Sequence, residues 1–284
     1  MNSRRVLLPA IFPLFLGCVP FIAHAQDTEA LAKQLANPIA SLSSVPLQFN
    51  YDDGIGPFDD GEKFALNIQP VIPISISEDW NMISRTILPI ASQRDVFPGA
   101  GSQFGLGDTV QSLFFSPKAL TSGGWTWGVG PVFLIPTATD DLLGSGQWGA
   151  GPTGVALRQT AGGWTYGALF NHVWSFAGEG NRADISATFL QPFLAKGLGK
   201  GRTVSVGLES TYDWEGEQWT VPLNIGYSKV SRIGEQLVSY QGGIRYYLEA
   251  PDAGAEWGVR FTFTLLYPRR QSPASRDLGQ PGGP

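Results

Sequence analysis

Between residues 43 and 267 runs of the chain alternate, with apolar side chains on one parity and small or polar ones on the other, while the stretches near 80–90, 108–117 and 184–195 mix the two. In Trp125–Ile135 the odd positions carry Trp125, Trp127, Val129 and Phe133, while Thr126, Gly128 and Gly130 fill the even ones. Trp164–Phe170 and Trp257–Tyr267 repeat the pattern. A period of two is the signature of a strand with two unlike faces. A soluble sheet alternates as well, but it rarely sets aromatic rings at both ends of its apolar face. A membrane barrel does, because the rings settle at the two water–lipid boundaries.

Twelve such runs can be marked, near 43–51, 64–76, 80–90, 108–117, 125–136, 147–157, 164–176, 184–195, 203–212, 218–229, 235–248 and 256–267. An even number returns both ends of the chain to the periplasmic side. The pattern therefore predicts an all-β, transmembrane, antiparallel up-and-down β-barrel of about twelve strands. The connections test this. Turns on the periplasmic side should be short, as Ser77–Asp79, Ala161–Gly163 and Ser231–Gly234 are, and outer loops longer, as Ala91–Gly107 and Thr137–Gly146 are. Charge sorts the same way. Asp52, Asp53, Asp59, Asp60, Glu62, Asp140, Asp141 and Glu249 fall to the outer loops, and Lys118, Lys196, Lys200, Arg202 and Arg232 to the inner turns. A short repeat, Gly123-Gly-Trp-Thr-Trp-Gly128 and Gly162-Gly-Trp-Thr-Tyr-Gly167, enters the membrane from two inner turns. It places Trp125, Trp127, Trp164 and Tyr166 in an inner aromatic girdle, and Trp148, Trp174, Trp219 and Trp257 in an outer one. Prolines oppose the reading: Pro131, Pro192 and Pro222 fall inside strands, where each removes a ladder donor.

Composition narrows the class. Only 15% of the 284 residues are charged, against roughly 25% in a soluble domain. No internal apolar run is long enough for a membrane helix. Residues 1–25 read as a secretory signal, with Arg4 and Arg5 before an apolar stretch and Ala23-His-Ala25 as the cleavage site. Cys18 leaves with that segment, so no disulfide or thiolate chemistry is expected in the mature chain. Residues 26–42 form an N-terminal periplasmic segment or plug, with a short helix over Thr28–Asn37 stopped by Pro38. The barrel covers 43–268, and 269–284 have the composition of a disordered tail.

Several segments together resemble one family: Leu35–Pro46, Leu66–Pro73, Gly105–Pro117, Gly128–Thr139, Trp148–Pro152 and Tyr212–Pro222. They are similar to a bacterial outer-membrane transporter family also labelled neuromedin-U-like, grouped with the phenol-degradation meta-pathway outer-membrane proteins. The resemblance covers nearly all of 35–268 and implies an outer-membrane barrel for uptake of small or apolar compounds. It brings no catalytic residues, and the tail after Tyr267 departs from its pattern.

If the apolar parity faces lipid, the other parity lines the lumen. That assigns Asn67, Gln69, Asn171, Glu209, Asn224, Gln241, Arg245 and Arg260 to the lumen. Arg85 joins them, because a cation on the lipid side at mid-depth costs about 2–4 kcal/mol. A barrel of this size can fill with side chains, whereas wide aqueous pores belong to larger ones. The pattern therefore favours a narrow or gated conduit for passive uptake, or a non-conducting structural barrel that organises lipopolysaccharide or partners. An outer-membrane lipid esterase is the third reading. It would need His and Ser two apart on one strand face. His172 and Ser175 are three apart and so fall on opposite faces. No cofactor is expected. No Asp-x-Asp-x-Asp-Gly calcium loop occurs, and the glycines of 99–107 lack the Lys-Ser/Thr of a phosphate loop. The expected partners are the outer membrane with its lipopolysaccharide, the barrel-assembly machinery during biogenesis, and a small-molecule substrate. Net charge of -5 argues against nucleic acid.

Overall fold

The computed structural model describes residues 22–268, with side chains from residue 28 onward. Residues 1–21 of the expected signal and the tail 269–284 lie outside the described residues. A helix, α1 (Ile22–Leu35), starts earlier than Thr28–Asn37 and stops short of Pro38. It passes through the cleavage position expected after Ala25.

Fifteen strands follow: β1 (Ser43–Ile55), β2 (Gly61–Ile68), β3 (Val71–Ser75), β4 (Trp80–Arg94), β5 (Ser102–Leu106), β6 (Thr109–Pro117), β7 (Trp125–Ile135), β8 (Gln147–Gln159), β9 (Trp164–Gly178), β10 (Ser186–Gly199), β11 (Arg202–Leu208), β12 (Ser210–Asp213), β13 (Gln218–Ile233), β14 (Gln236–Glu249) and β15 (Trp257–Tyr267). Three pairs, β2–β3, β5–β6 and β11–β12, are single staves broken in two, so the sheet has twelve staves. Each pairs antiparallel with its neighbour, and β1 closes on β15 from Ser43↔Tyr267 to Asp53↔Trp257. The twelve-stave antiparallel barrel is the architecture that the alternation predicts.

The expected outer loop Ala91–Gly107 is mostly strand, since β4 runs to Arg94 and β5 begins at Ser102. Asp52, Asp53, Glu62 and Glu249 likewise stand in strands and not in loops. Alternation ends where charges begin, yet the ladder continues because a backbone bond needs no apolar side chain.

Prolines explain the three breaks. At each, the break residue donates its N–H to a proline carbonyl on the next stave: Gln69 to Pro46, Gly107 to Pro89 and Glu209 to Pro222. The return bond has no donor, because proline carries no N–H. Pro131 faces Pro152 across β7 and β8, and both outer neighbours lose register pairs at that height. The ladder loss is eased by Gly130, where a Cβ would collide with the Leu113 carbonyl.

Burial is inverted relative to a soluble protein. Outward parity exposes Phe104, Phe115, Val129, Phe170, Phe176, Ile244 and Phe261. The inward parity buries Ser44, Asn50, Gln69, Gln93, Thr153, Thr262 and Thr264. Each large apolar side chain left in water forfeits about 1.5–3 kcal/mol of burial. A continuous apolar exterior around a polar interior is therefore stable only in lipid.

One polypeptide segment enters the periplasmic end. Leu31, Ala32, Ala40 and Leu42 pack on Val230 and Leu266 of one wall. Ile39 packs on Ile83, Phe114, Val155, Leu157 and Leu169 of the other. Asn37 Oδ1 accepts the Ile39 N–H at 3.0 Å and turns the chain after α1.

Candidate functional site

The interior site is set by strand register. Residues opposite one another across a ladder share a face. Asn50 pairs with Arg260, Gln48 with Thr262 and Asn67, and Asn224 with Arg245 and Gly207. All therefore face inward. Asn171 takes the same face opposite Thr153 and Phe189.

Glu209 lies at the break between β11 and β12. Arg260 reaches it from β15, three staves round the wall, or about 14 Å at the usual strand spacing. The grip is two-pronged: Arg260 Nη1 donates to Glu209 Oε1 at 2.7 Å and Nη2 to Oε2 at 2.8 Å. Arg260 Nε donates to Asn50 Oδ1 at 2.7 Å, which fixes the plane of the fork. Fork-to-fork geometry of this kind is the strongest form of ion pair. Gln191 approaches the same carboxylate at 3.5 Å.

A second clasp sits one register step further out. Arg245 Nη1 reaches Asp52 at 2.9 Å, and the Tyr247 hydroxyl donates to Asp52 at 3.0 Å. Both charged side chains are nearly buried, at 11% and 12% exposed. They meet across β15 because Gly258 lies between them. A Cβ there would collide with the Tyr51 carbonyl and crowd the Asp52 carboxylate. Arg85 Nη2 donates to Gln69 Oε1 at 3.4 Å, and both Arg85 and Arg245 lie within electrostatic reach of Glu209.

The predicted interior residues thus divide. Glu209 and Arg260 meet, and Asn224 and Gln241 stand beside them around one cavity. Arg85 and Gln69 meet separately, and Arg245 turns to Asp52. Asn67 and Asn171 share the inward face without bonding into either clasp. Sequence reasoning missed Gln48, Asn50, Asp52, Gln191 and Tyr247. The first three alternate with Leu47, Phe49 and Tyr51, so the signal was present for all three, and Asp52 fell just past the end of the run at residue 51.

Three cavities follow the interior downward. The first, ≈ 230 Å³, adjoins Glu209 and Arg260. The second, ≈ 250 Å³, shares Gln48, Ser205 and Gln241 with it and rests on Ala32, Leu35 and Ala36 of the N-terminal segment. A third, ≈ 180 Å³, passes beside α1 toward the turn at Ala161 and Gly163.

The ring-bearing residues lie outward. Trp125 meets Tyr166 edge-on at 5.9 Å, Trp127 meets Trp80 at 5.9 Å, and Lys196 stands 4.8 Å from the Trp164 ring. Toward the opposite rim Trp257 contacts Tyr51, Trp219 contacts Tyr212, Trp174 contacts His172, and Trp148 is exposed. His172 Nδ1 is 2.7 Å from Thr188 Oγ1, which also accepts from Trp214 Nε1 at 2.8 Å. Ser175 bonds Asp184 and Ile185 instead, away from His172.

This chain is an outer-membrane β-barrel. Its fold is similar to that of an outer-membrane channel of Pseudomonas putida F1 known from a crystal structure. The TM-score is 0.63 at 11% identity, over 80% of this chain and 96% of that one. Two weaker likenesses are the outer-membrane phospholipase A of Escherichia coli (TM-score 0.43, 12% identity, 82% of this chain and 97% of that one) and the low-pH structure of OprB from Pseudomonas putida (0.33, 9%, 86% and 96%). At these identities the first likeness bears on the fold, and the other two add no argument. No family model matches the chain, and no curated protein does.

Proposed function

We propose that the barrel is a narrow, gated conduit for passive uptake of a small compound, and a member of the transporter family that its motifs resemble. The observation that carries this reading is the stack of three interior cavities, which starts at the Glu209–Arg260 clasp and runs past α1 toward the turn at Ala161 and Gly163. Adjacent cavities share walls, Gln48, Ser205 and Gln241 between the first and second, and Ala32, Ala36, Ala195 and Thr203 between the second and third. The non-catalytic part of the reading draws on His172 and Ser175, which project from opposite faces of β9 and bond different partners.

The test is single-channel conductance and solute swelling with the chain, less residues 1–25, refolded in liposomes. A heat-modifiable gel shift first establishes that the barrel has folded. Current that rises severalfold on Arg260→Gln or Glu209→Gln supports a lumen pathway through the clasp. A folded barrel that stays silent in the native form and both variants overturns it. The apolar packing of Ile39 and Leu42 across both walls favours a second reading, a non-conducting barrel that organises lipopolysaccharide, and silence would select that.

A further inference from the structure

We propose that the cavity beside Glu209 and Arg260 is a binding site for a small uncharged solute bearing several hydroxyl groups. This deepens the conduit reading and rests on it, since such a solute reaches the site only through the lumen. The chemistry comes from the walls. Three glutamines and an asparagine line the space: Gln48, Gln191, Gln241 and Asn224. The glutamine nitrogens are engaged with neighbours, Gln48 Nε2 with Asn50, Gln191 Nε2 with Glu209 and Gln241 Nε2 with Ser205. No donor among the described residues reaches their carbonyl oxygens, and Asn224 Oδ1 is buried with no partner at all. Asn224 Oδ1 is closed off from the space, so the cavity presents three amide oxygens that no protein donor occupies.

Charge restricts what supplies them. Both Glu209 oxygens are held by Arg260, so the pair offers no net charge to a ligand. A cation would meet Arg260 on the wall and Arg245 and Arg85 nearby. An anion would face the amide oxygens and Glu209. An apolar compound would strand three acceptors away from water. Hydroxyl groups on a neutral frame satisfy them, and the ring of Phe193 covers a C–H face on one side. The space, ≈ 230 Å³ and sharing Gln48, Ser205 and Gln241 with the second cavity, is several times the roughly 30 Å³ share of one liquid water.

Saturation-transfer NMR on the refolded chain in micelles, with xylitol, benzyl alcohol and xylonate as probes, tests the site. Xylitol is expected to show transfer and the other two not. The double variant Gln48→Leu, Gln241→Leu is expected to bind it about tenfold more weakly, for the loss of one or two hydrogen bonds. The single variant Gln191→Leu should weaken it too. Benzyl alcohol or xylonate binding in preference to xylitol overturns the proposal, as does xylitol binding that neither variant moves. Should the variants fail the heat-shift test for folding, the three-probe comparison on the native chain decides. A barrel that conducts ions but ignores xylitol sinks this inference and leaves the conduit. One that binds xylitol in micelles but passes neither ions nor solutes sinks the conduit and leaves the site.

Discussion

Among single residues, Gly258 carries more than its size suggests. It lets Arg245 of β14 and Asp52 of β1 meet over β15. Gly258→Val should force them apart and leave two nearly buried charges unpaired, a loss of about 3–5 kcal/mol for a broken buried pair. The expected result is a heat-modified gel transition at clearly lower temperature, with Gly258→Ala falling between. An unchanged transition would mean that the rim is held by the ladder alone. The Glu209–Arg260 fork invites a swap. Glu209→Arg with Arg260→Glu should recover the low conductance that either single reversal disturbs, because the pair, and not either charge, narrows the lumen. The parities of Asn224, Gln241, Arg245 and Arg260 could be read directly from sequence, since each alternates with an apolar neighbour. The partner of each could not: nothing in a linear pattern says that Arg260 crosses three staves to Glu209, or that Arg245 chooses Asp52.

For elements, the prolines that seemed to oppose a barrel account for its irregularities. Pro222 leaves Glu209 with a one-way bond, so the wall there is held by fewer ladder contacts. Pro222→Ala restores a donor and should slow amide hydrogen exchange around residues 208–211. Unchanged exchange would show that the break has another cause. Strand number and direction were legible because runs of two-residue alternation recur between turn signals, although both parities are mixed on the third, fourth and eighth staves, where Ile83 and Phe114 turn apolar side chains inward. The breaks were not, because a proline's effect falls on the facing strand, whose identity depends on register. The N-terminal segment was legible as a helix with a stop signal, lying in the periplasm or plugging the barrel. Its seat between the two walls was not, because Leu31 and Leu42 join one apolar cluster and Ile39 the other through wall residues far along the chain. Ile39→Asp should loosen that seat and raise conductance while the barrel still folds. A folded variant with native current would place the barrier elsewhere.

Taken whole, the molecule is an apolar band with aromatic rings toward each rim and charges held inside. In bilayers of brominated lipids, its tryptophans should be quenched more strongly by bromines near the headgroups than by bromines at mid-chain. Uniform quenching at all depths would contradict the two girdles. The position of the clasps adds a consequence for assembly. Arg260 and Asn50 face each other across the joint between last strand and first, and Asp52 and Arg245 bridge the same joint. Until that joint shuts, Arg260 lacks Asn50, which fixes its plane, and Asp52 lacks Arg245. The ring's completion and the narrowing of its bore are then a single event, and an unclosed intermediate is a wall with an unfinished interior.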